Sequence, residues 1–240
     1  MRVPLYWHQP LDESDHIYRT MTSRGIRPMF VLYGHERPPR RAWANWVGAV
    51  TRRYPATVAF EVWNEPNLAR FWDGPPSPRA YHKLFATAVR AAAPSATLIT
   101  AGLAPSEGSQ RHHMRRWRTY LRALSRLGTT DLADGIGYHA YPGLSHIQPK
   151  ISPGGPHRLL RKGRRIVGDA PAWITELATF WGKRATALRR SHRQATQAGA
   201  QAMIVYRLID DPNDSQPWSG TGLLRANGRP KRELATLGRL

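Results

Sequence analysis

Short apolar segments alternate with longer amphipathic segments along almost the whole chain, and this alternation constrains the fold more than any other feature. β-Branched and aromatic residues concentrate in the short segments, which is typical of strands. Strands that alternate with helices form parallel sheets, so the pattern predicts an α/β fold. The predicted strands cover residues 3–7, 26–33, 58–63, 97–101, 135–139, 172–175 and 202–206, and the predicted helices cover 12–23, 40–54, 78–93, 111–127, 157–167, 191–199 and 230–240.

Two of the predicted strands end in a glutamate. Residues 60–67 read FEVWNEPN, so an apolar run delivers Asn64 and Glu65 to the strand's end, where a proline stops it. Residues 172–176 read AWITE and end in Glu176. Hydrolysis of a glycosidic bond commonly uses two carboxyl groups that flank it, and strand ends are where such groups gather. Taken alone, an Asn-Glu-Pro segment is also typical of a turn, and Ile-Thr-Glu is too common to indicate a site.

The two motifs together resemble a known catalytic pair. Residues 63–67 (WNEPN) and 174–176 (ITE) are similar to the acid/base and nucleophile segments of the retaining glycoside hydrolases of clan A, which are (β/α)8 TIM barrels. Residues 68–72 (LARFW) are most similar to the branch that contains β-xylosidases, α-L-iduronidases and related bacterial "cellulase family" proteins. The resemblance implies an O-glycoside hydrolase that acts on β-linked oligo- or polysaccharides by double displacement. Glu65 would be the acid/base and Glu176 the nucleophile, and no cofactor is expected.

The resemblance also implies roles for residues around the pair. His139 ends a predicted strand and Tyr141 follows it, and both are expected to line the cleft, with the phenol near Glu176. Arg2 occupies the place of an arginine that hydrogen-bonds the nucleophile in clan A. Asn64 is expected to bind the sugar 2-hydroxyl. From the residues alone, a buried core histidine and tyrosine, a chance arginine and a turn-forming asparagine are alternatives.

Aromatic side chains near the predicted strand ends are candidates for stacking on sugar rings. His35 follows another strand and is a candidate for substrate contact, although a solvated loop histidine fits the sequence equally well. Relatives commonly carry a tryptophan on the last strand, where this chain has Tyr206, and this departure leaves the subsite preference open. The stacking candidates are Trp7, Trp72, Trp181, Tyr206 and Trp218, and some of them are expected to be core residues instead.

The predicted strands are one fewer than the eight of a closed barrel in the resembled clan. If WNEPN lies on the clan's fourth strand and ITE on its seventh, the first strand/helix unit at the N-terminus is lacking. We therefore expect a single TIM-barrel domain over residues 1–240 that is N-terminally truncated or has an unusual cover beside Arg2. An open barrel exposes strand edges, so self-association is an expected consequence. The sequence contains no signal peptide; relatives are often secreted, and the localisation stays undetermined.

The formal net charge of +20 is the strongest argument against a carbohydrate-cleaving function, because such a charge is typical of nucleic-acid binding. Only five of the 36 basic residues are lysines, and the arginines are spread over every predicted helix rather than gathered in one arm. This scatter indicates compositional drift more than a binding face. Carbohydrate is the expected partner and nucleic acid is disfavoured. A catalytically inactive carbohydrate-binding relative and a basic polyanion-binding protein are the alternatives.

Metal sites and membrane partners are also disfavoured by the sequence. The chain has no cysteine, so neither disulfides nor thiolate metal ligands are available. No apolar run approaches the ~20 residues of a membrane span. Residues 210–215 (DDPNDS) resemble a calcium loop in composition only, and an acidic turn explains them better.

Overall fold

Seven strands alternate with seven α-helices in the computed structural model, which describes residues 1–109, 114–142, 144, 155–180 and 183–238. The strands are β1 (Arg2–Tyr6), β2 (Met29–Tyr33), β3 (Ala59–Val62), β4 (Leu98–Thr100), β5 (Ile136–Ala140), β6 (Ala172–Leu177) and β7 (Ala200–Val205). The helices are α1 (Asp12–Thr22), α2 (Arg40–Arg53), α3 (Pro78–Ala91), α4 (Trp117–Arg126), α5 (Pro156–Val167), α6 (Arg184–Gln197) and α7 (Arg232–Leu237). The predicted alternation is confirmed.

The strand pairs are all parallel, and neighbours in the sheets are neighbours in the chain. β1 to β4 form one sheet in that order, and β5 to β7 form a second. Parallel bridges from Ile99 to Gly135 and from Leu103 to Tyr138 connect β4 with β5, so the second sheet continues the first. Among the described residues β1 pairs only with β2, and β7 only with β6. The fold is therefore a partial (β/α)8 barrel that is open between β7 and β1.

Large aromatic residues fill the space between the sheet and helices α2 and α3. Trp43, Trp63, Trp72 and Tyr81 are buried. Successive rings in this row meet edge to face, with centroids 5.7 to 6.2 Å apart. The Tyr81 hydroxyl also donates to the carbonyl of Val62 at 2.9 Å, which ties α3 to the last residue of β3. Because buried aromatic rings contribute large apolar areas, this layer holds the end of β3 rigidly in place.

Local sequence signals explain several helix ends. α3 begins at the predicted Pro78, whose fixed φ suits the first turn, and Ser77 Oγ caps the helix by accepting from the N–H of Ala80 at 3.3 Å. The segment after α1 closes at Gly25, which has a φ of 70°. No helix in the described ranges is long and apolar enough to cross a membrane.

Three helices differ from their predicted bounds by more than two residues. α4 begins at Trp117 rather than at 111, because Met114 exchanges backbone hydrogen bonds of 2.8 and 2.9 Å with Ser109 and is therefore extended. α6 begins at Arg184, well before the predicted start at 191, because its buried face already includes Ala185 and Leu188. α7 is shorter than predicted and covers Arg232–Leu237. Most of the predicted loop 142–156 lies outside the described residues.

Candidate active site

Glu65 lies in a turn of unusual backbone geometry at the end of β3. Trp63 has a φ of 76° and Glu65 a φ of 40°, both in the left-handed region that side chains rarely adopt. The N–H of Trp63 donates to the carbonyl of Leu32 at 2.8 Å, and the N–H of Glu65 donates to that of Gly102 at 3.2 Å. These bonds hold a conformation that costs about 1–3 kcal/mol per residue. Maintained strain of this kind is typical of functional sites, because it fixes a side chain's direction.

Glu176, near the end of β6, is buried and held as a carboxylate. Arg2 Nη1 donates to its Oε1 at 2.5 Å, and the Tyr141 hydroxyl donates a short hydrogen bond to its Oε2. Burial alone raises the pKa of Glu176. The positive charges of His139 and Arg2, and the two hydrogen bonds, outweigh burial and lower this pKa below its ordinary value. The surroundings therefore favour the ionised form.

Arg2, on β1, spreads its guanidinium over three acceptors. Nε donates to Glu61 Oε2 at 2.6 Å, Nη1 donates to Glu176, and Nη2 donates to Asn64 Oδ1 at 2.7 Å. Burial disfavours the charge of Arg2, but the carboxylates of Glu61 and Glu176 outweigh burial and raise its pKa. Because Arg2 occupies the Asn64 oxygen, the partly exposed Asn64 amide presents its NH2 group as a donor.

His139 and Tyr141 bridge the two glutamates. His139 Nδ1 lies 2.7 Å from Glu65 Oε1 and 3.8 Å from Glu176 Oε2. The Tyr141 oxygen lies 3.2 Å from the same nitrogen and 3.5 Å from Glu65 Oε1. Burial by itself lowers the pKa of His139, but the two carboxylates outweigh burial and raise it. Burial and the same carboxylates raise the pKa of Tyr141 well above its ordinary value, so its hydroxyl stays a donor.

An aromatic cluster stands beside Tyr141 at the ends of β6 and β7. The Trp218 ring meets Tyr141 edge to face at 5.2 Å and Phe180 at 4.9 Å. Tyr206 meets Trp218 at 5.8 Å, and the guanidinium of Arg207 lies over the Tyr206 ring at 4.9 Å. Trp218 and Tyr206 are partly exposed, as a surface for sugar stacking requires. Phe180 belongs to this cluster although the sequence did not single it out.

A second group of rings lies at the ends of β1 and β2. His35 is exposed and stacks on Tyr6 with centroids 5.1 Å apart, and Trp7 is partly exposed beside it. Because the strands are parallel, these residues lie at the same end of the barrel as the glutamates. Trp72 is fully buried in the aromatic core, so its candidacy as a stacking residue was wrong. Trp181, another stacking candidate, lies outside the described residues.

Glu61, in the middle of β3, is a member of the site that the sequence analysis did not find. Its carboxylate is fully buried and accepts three hydrogen bonds, from Arg2 Nε at 2.6 Å, the Gly102 N–H at 2.7 Å and the Thr175 hydroxyl at 2.7 Å. A charged residue inside an otherwise apolar strand was the available signal. Its partners, however, come from β1, the segment after β4 and the middle of β6, and leave no pattern along the chain.

The acidic turn at 210–215 is neutralised by basic neighbours. Asp210 pairs with Lys231 at 2.6 Å and also accepts from the N–H of Gly222, while Asp214 pairs with Arg207 at 2.7 Å. These contacts support the prediction of a structural turn. In the described part of the chain, no group of three or more His, Asp or Glu residues could hold a metal ion.

The fold is similar to that of several solved sugar-cleaving enzymes. A glucosidase from Croceicoccus marinus superposes with a TM-score of 0.73 at 14% identity, over 95% of this chain and 51% of that chain. A GH5_18 protein from Bifidobacterium longum subsp. longum, solved with Manβ1-4GlcNAc, gives a TM-score of 0.72 at 13% identity, over 99% and 68%. An exo-β-1,4-mannosidase from an Opitutaceae bacterium gives a TM-score of 0.65 at 15% identity, over 99% and 52%.

Sequence comparisons give no relative, because no family model matches the chain and no curated protein matches it either. The chain spans about half the length of two of the three solved structures described above. At such low identities the likeness establishes the fold, and the predicted fold class is confirmed: the structural neighbours are glycoside hydrolases built on the same barrel.

Proposed function

We propose that this chain is a glycoside hydrolase that cleaves a β-linked oligo- or polysaccharide and retains the configuration at the anomeric carbon. The observation that carries the proposal is the placement of Glu65 and Glu176 around one imidazole, 2.7 and 3.8 Å from His139 Nδ1. The likeness of the fold to a glucosidase, a mannosidase and a xylanase supports the class of reaction.

In the first step, Glu176 acts as the nucleophile. One of its oxygens attacks the anomeric carbon and forms an ester bond, while the bond from that carbon to the leaving oxygen breaks. Glu65 gives its proton to the leaving oxygen, so it must be protonated when substrate binds. Glu176 must be ionised, and the cation and hydroxyl that face it keep it so.

In the second step, Glu65 changes from acid to base. Its carboxylate takes a proton from a water molecule whose oxygen attacks the anomeric carbon, and the ester bond to Glu176 breaks. The sugar leaves with a new hydroxyl, and both glutamates regain their starting protonation states. The contact between Glu65 Oε1 and His139 Nδ1, at 2.7 Å, holds the general acid in place between the two steps.

The spacing of the two glutamates is compatible with retention. Retaining enzymes hold their carboxyl groups about 5–5.5 Å apart, whereas inverting enzymes hold them about 6.5–9.5 Å apart to admit a water molecule. Oxygens of Glu65 and Glu176 lie 2.7 and 3.8 Å from the same atom, His139 Nδ1. The distance between these two oxygens therefore cannot exceed the sum of the two contacts, which lies at the lower limit of the inverting range.

Other residues would bind and orient the sugar. The NH2 group of Asn64 suits donation to the 2-hydroxyl, a contact that strengthens in an oxocarbenium-like transition state. Tyr206 and Trp218 offer partly exposed rings after β7, and Trp7 and His35 offer rings at the ends of β1 and β2. The LARFW segment at 68–72 supports the branch with β-xylosidases and α-L-iduronidases, so xylosides and uronic-acid polymers belong among the test substrates.

The open side of the barrel favours one alternative, a carbohydrate-binding protein that does not hydrolyse its ligand. β1 and β7 are unpaired with each other in the described residues, and an incomplete barrel loses rigidity where Arg2 must hold Glu176. Binding of sugars without turnover would support this alternative. Polyanion binding would instead appear as nucleic-acid affinity that falls steeply with salt and does not respond to sugars.

The experiment is a substrate screen on three proteins in parallel. The parent chain, Glu176→Gln and the matched surface control Glu13→Gln are incubated with aryl β-glycosides, soluble β-glucans, xylans and uronic-acid polymers. We expect hydrolysis by the parent and by Glu13→Gln, and a loss of about 10⁴-fold or more in Glu176→Gln. Glu13 is exposed in the first turn of α1 and makes none of the site contacts described above, so it reports on nonspecific effects of the substitution.

Activity that survives in Glu176→Gln would contradict the proposal. If none of the three proteins hydrolyses any substrate and calorimetry detects sugar binding, the non-hydrolysing alternative is favoured. Hydrolysis by the parent that is lost in Glu176→Gln but kept in Glu13→Gln would identify the nucleophile and the substrate class together.

A further inference from the structure

Glu61 is a buried carboxylate that takes no part in the proposed bond-making steps. It lies in the middle of β3, and its side chain is fully removed from solvent. Burial of an ionised carboxylate costs several kcal/mol unless hydrogen bonds and an opposite charge compensate for it. An apolar residue is the usual choice at such a position in a strand, so the charge calls for an explanation.

The partners of Glu61 join three other parts of the barrel. Oε2 accepts from Arg2 Nε on β1 at 2.6 Å. Oε1 accepts from the N–H of Gly102, directly after β4, and from the Thr175 hydroxyl on β6, each at 2.7 Å. Both oxygens are therefore occupied by donors from strands that do not neighbour one another in the sheet. The carboxylate is therefore an anchor inside the barrel, one hydrogen bond away from residues that contact or adjoin the two glutamates.

Arg2 depends on this anchor for its orientation. A guanidinium is planar, so fixing Nε also fixes the directions of Nη1 and Nη2. In the structure Nη1 reaches Glu176 at 2.5 Å while Nη2 reaches Asn64 at 2.7 Å. Without an acceptor at Nε, the guanidinium is free to rotate toward Glu176 alone, and the simultaneous contact to Asn64 is lost.

We propose that Glu61 is a positioning residue, which sets the plane of the Arg2 guanidinium so that Arg2 orients Glu176 and Asn64 together. Glu61 touches neither substrate nor the reacting atoms. Its neighbour in the hydrogen-bond network, Thr175, directly precedes Glu176 and transmits the same constraint to β6. The inference deepens the proposed hydrolase function and rests on it for its effect on catalysis.

Replacement of Glu61 by glutamine keeps the size and shape of the side chain but removes its charge and changes its hydrogen bonding. The two carboxylate oxygens accept from three donors, whereas the amide of Glu61→Gln offers one acceptor and a donating NH2 group. If its oxygen faces Gly102 and Thr175, the NH2 group opposes Arg2 Nε, so two donors confront each other. The backbone of Gly102 cannot move easily, and the flexible Arg2 side chain is the group expected to shift.

The sign of the pH effect distinguishes positioning from simple charge removal. Loss of the Glu61 charge removes a like charge near Glu176, which lowers the pKa of Glu176 and moves the acidic limb of kcat/KM to lower pH. Displacement of Arg2 removes an opposite charge, which raises that pKa and moves the limb to higher pH. The charged and titratable groups that face Glu176 are Arg2 on β1, Glu65 after β3, His139 and Tyr141 at the end of β5, and Tyr206 after β7.

The test compares the parent, Glu61→Gln and the control Thr100→Val. Thr100 is equally buried inside the barrel and accepts from the N–H of Gly137 at 3.0 Å, so its loss reports on packing and hydrogen bonding alone. For Glu61→Gln we expect a kcat about 10- to 100-fold lower with little change in KM. We also expect the acidic limb to move up by about one pH unit. Thr100→Val should lower stability without moving the limb.

A second readout needs no substrate. The carboxyl ¹³C signal of Glu176, assigned by its loss in Glu176→Gln, is titrated in the parent and in Glu61→Gln. If the titration midpoint of Glu176 is higher in Glu61→Gln than in the parent, and the parent hydrolyses no substrate, the positioning role is supported and the proposed function is contradicted. Hydrolysis in the parent with an unmoved or lowered midpoint in folded Glu61→Gln would overturn the positioning role and leave the function standing.

If Glu61→Gln does not fold, Thr175→Val takes its place. Valine keeps the shape of threonine but removes one of the three donors to Glu61. A severalfold lower kcat at unchanged KM, with the same upward shift, is the expected result. An unchanged pH profile in folded Thr175→Val would overturn the proposal.

Discussion

Three residues, one on β1 and two on or directly after β5, determine the charge state of Glu176. Arg2 and Tyr141 donate to its two oxygens, and His139 adds positive charge 3.8 Å away. Burial opposes ionisation, so the low pKa of Glu176 depends on all of these neighbours acting together. The removal of any one of them should raise this pKa.

Tyr141→Phe isolates the contribution of one hydrogen bond. The ring remains, but Glu176 loses the hydroxyl that favours its charged form, so its pKa rises. Because the proposed nucleophile must be ionised, the acidic limb of kcat/KM should move to higher pH, and the loss of activity relative to the parent should grow as the pH falls. The measurement is a pH–rate profile for the parent, Tyr141→Phe and Tyr54→Phe.

Tyr54 is the matched control, because its hydroxyl donates to Asp15 on α1, away from the glutamates. Its replacement should leave the profile unchanged. An acidic limb that stays in place in Tyr141→Phe, or moves equally in both variants, would contradict this explanation of the Glu176 charge.

The segment directly after β4 packs closely against the site. A Cβ on Gly102 would lie 2.2 Å from His139 Cδ2 and 2.5 Å from Thr175 Oγ1, distances that real side chains do not adopt. The carbonyl of Gly102 also accepts from Glu65, and its N–H donates to Glu61. Glycine is required here because backbone and site side chains approach so closely.

Gly102→Ala should therefore displace His139 and weaken the network. We expect a loss of stability of about 1–3 kcal/mol, typical of overpacking, and a large loss of turnover. The control is Gly220→Ala, where a Cβ would meet only open space. Thermal unfolding and initial rates measured on both variants check the prediction, and equal behaviour of the two would refute it.

The sequence predicted the elements well where burial and strand ends carry the signal. Glu65 and Glu176 could be predicted as neighbours because each follows an apolar run, and parallel strands bring such ends together. Glu61 was not found, because hydrogen bonds to distant strands leave no mark in the local pattern. The prediction for Trp72 was wrong because the sequence of a loop does not indicate whether a tryptophan ring faces the cleft or the core.

At the scale of the whole molecule, the open side of the barrel and the large positive charge have opposite effects on self-association. β7 carries partly exposed apolar residues, including Met203 and Val205, and it is unpaired on one side in the described residues. Unpaired edges favour association. A net charge of +20 repels other copies of the chain at low salt. We propose that residues 1–240 form one domain that self-associates through this open side.

Salt should therefore strengthen self-association. Screening weakens the repulsion between copies but leaves apolar contacts between strand edges, so larger species should appear as sodium chloride rises from about 0.05 to 0.5 M. Analytical ultracentrifugation over a range of protein concentrations measures this. A monomer that stays monodisperse at every salt concentration and unfolds cooperatively would rule out the open-edge explanation.

Covalent trapping tests the central claim most directly, because only double displacement forms a sugar ester on the enzyme. The parent and Glu176→Gln are incubated with 2,4-dinitrophenyl 2-deoxy-2-fluoro-β-glycosides, whose fluorine slows the second step, and intact mass and peptide maps are recorded. We expect release of dinitrophenolate and one added fluoroglycosyl group on the peptide that contains Glu176, with no adduct in Glu176→Gln. An adduct on another carboxylate, or turnover of a natural substrate to a product of inverted configuration, would contradict the mechanism.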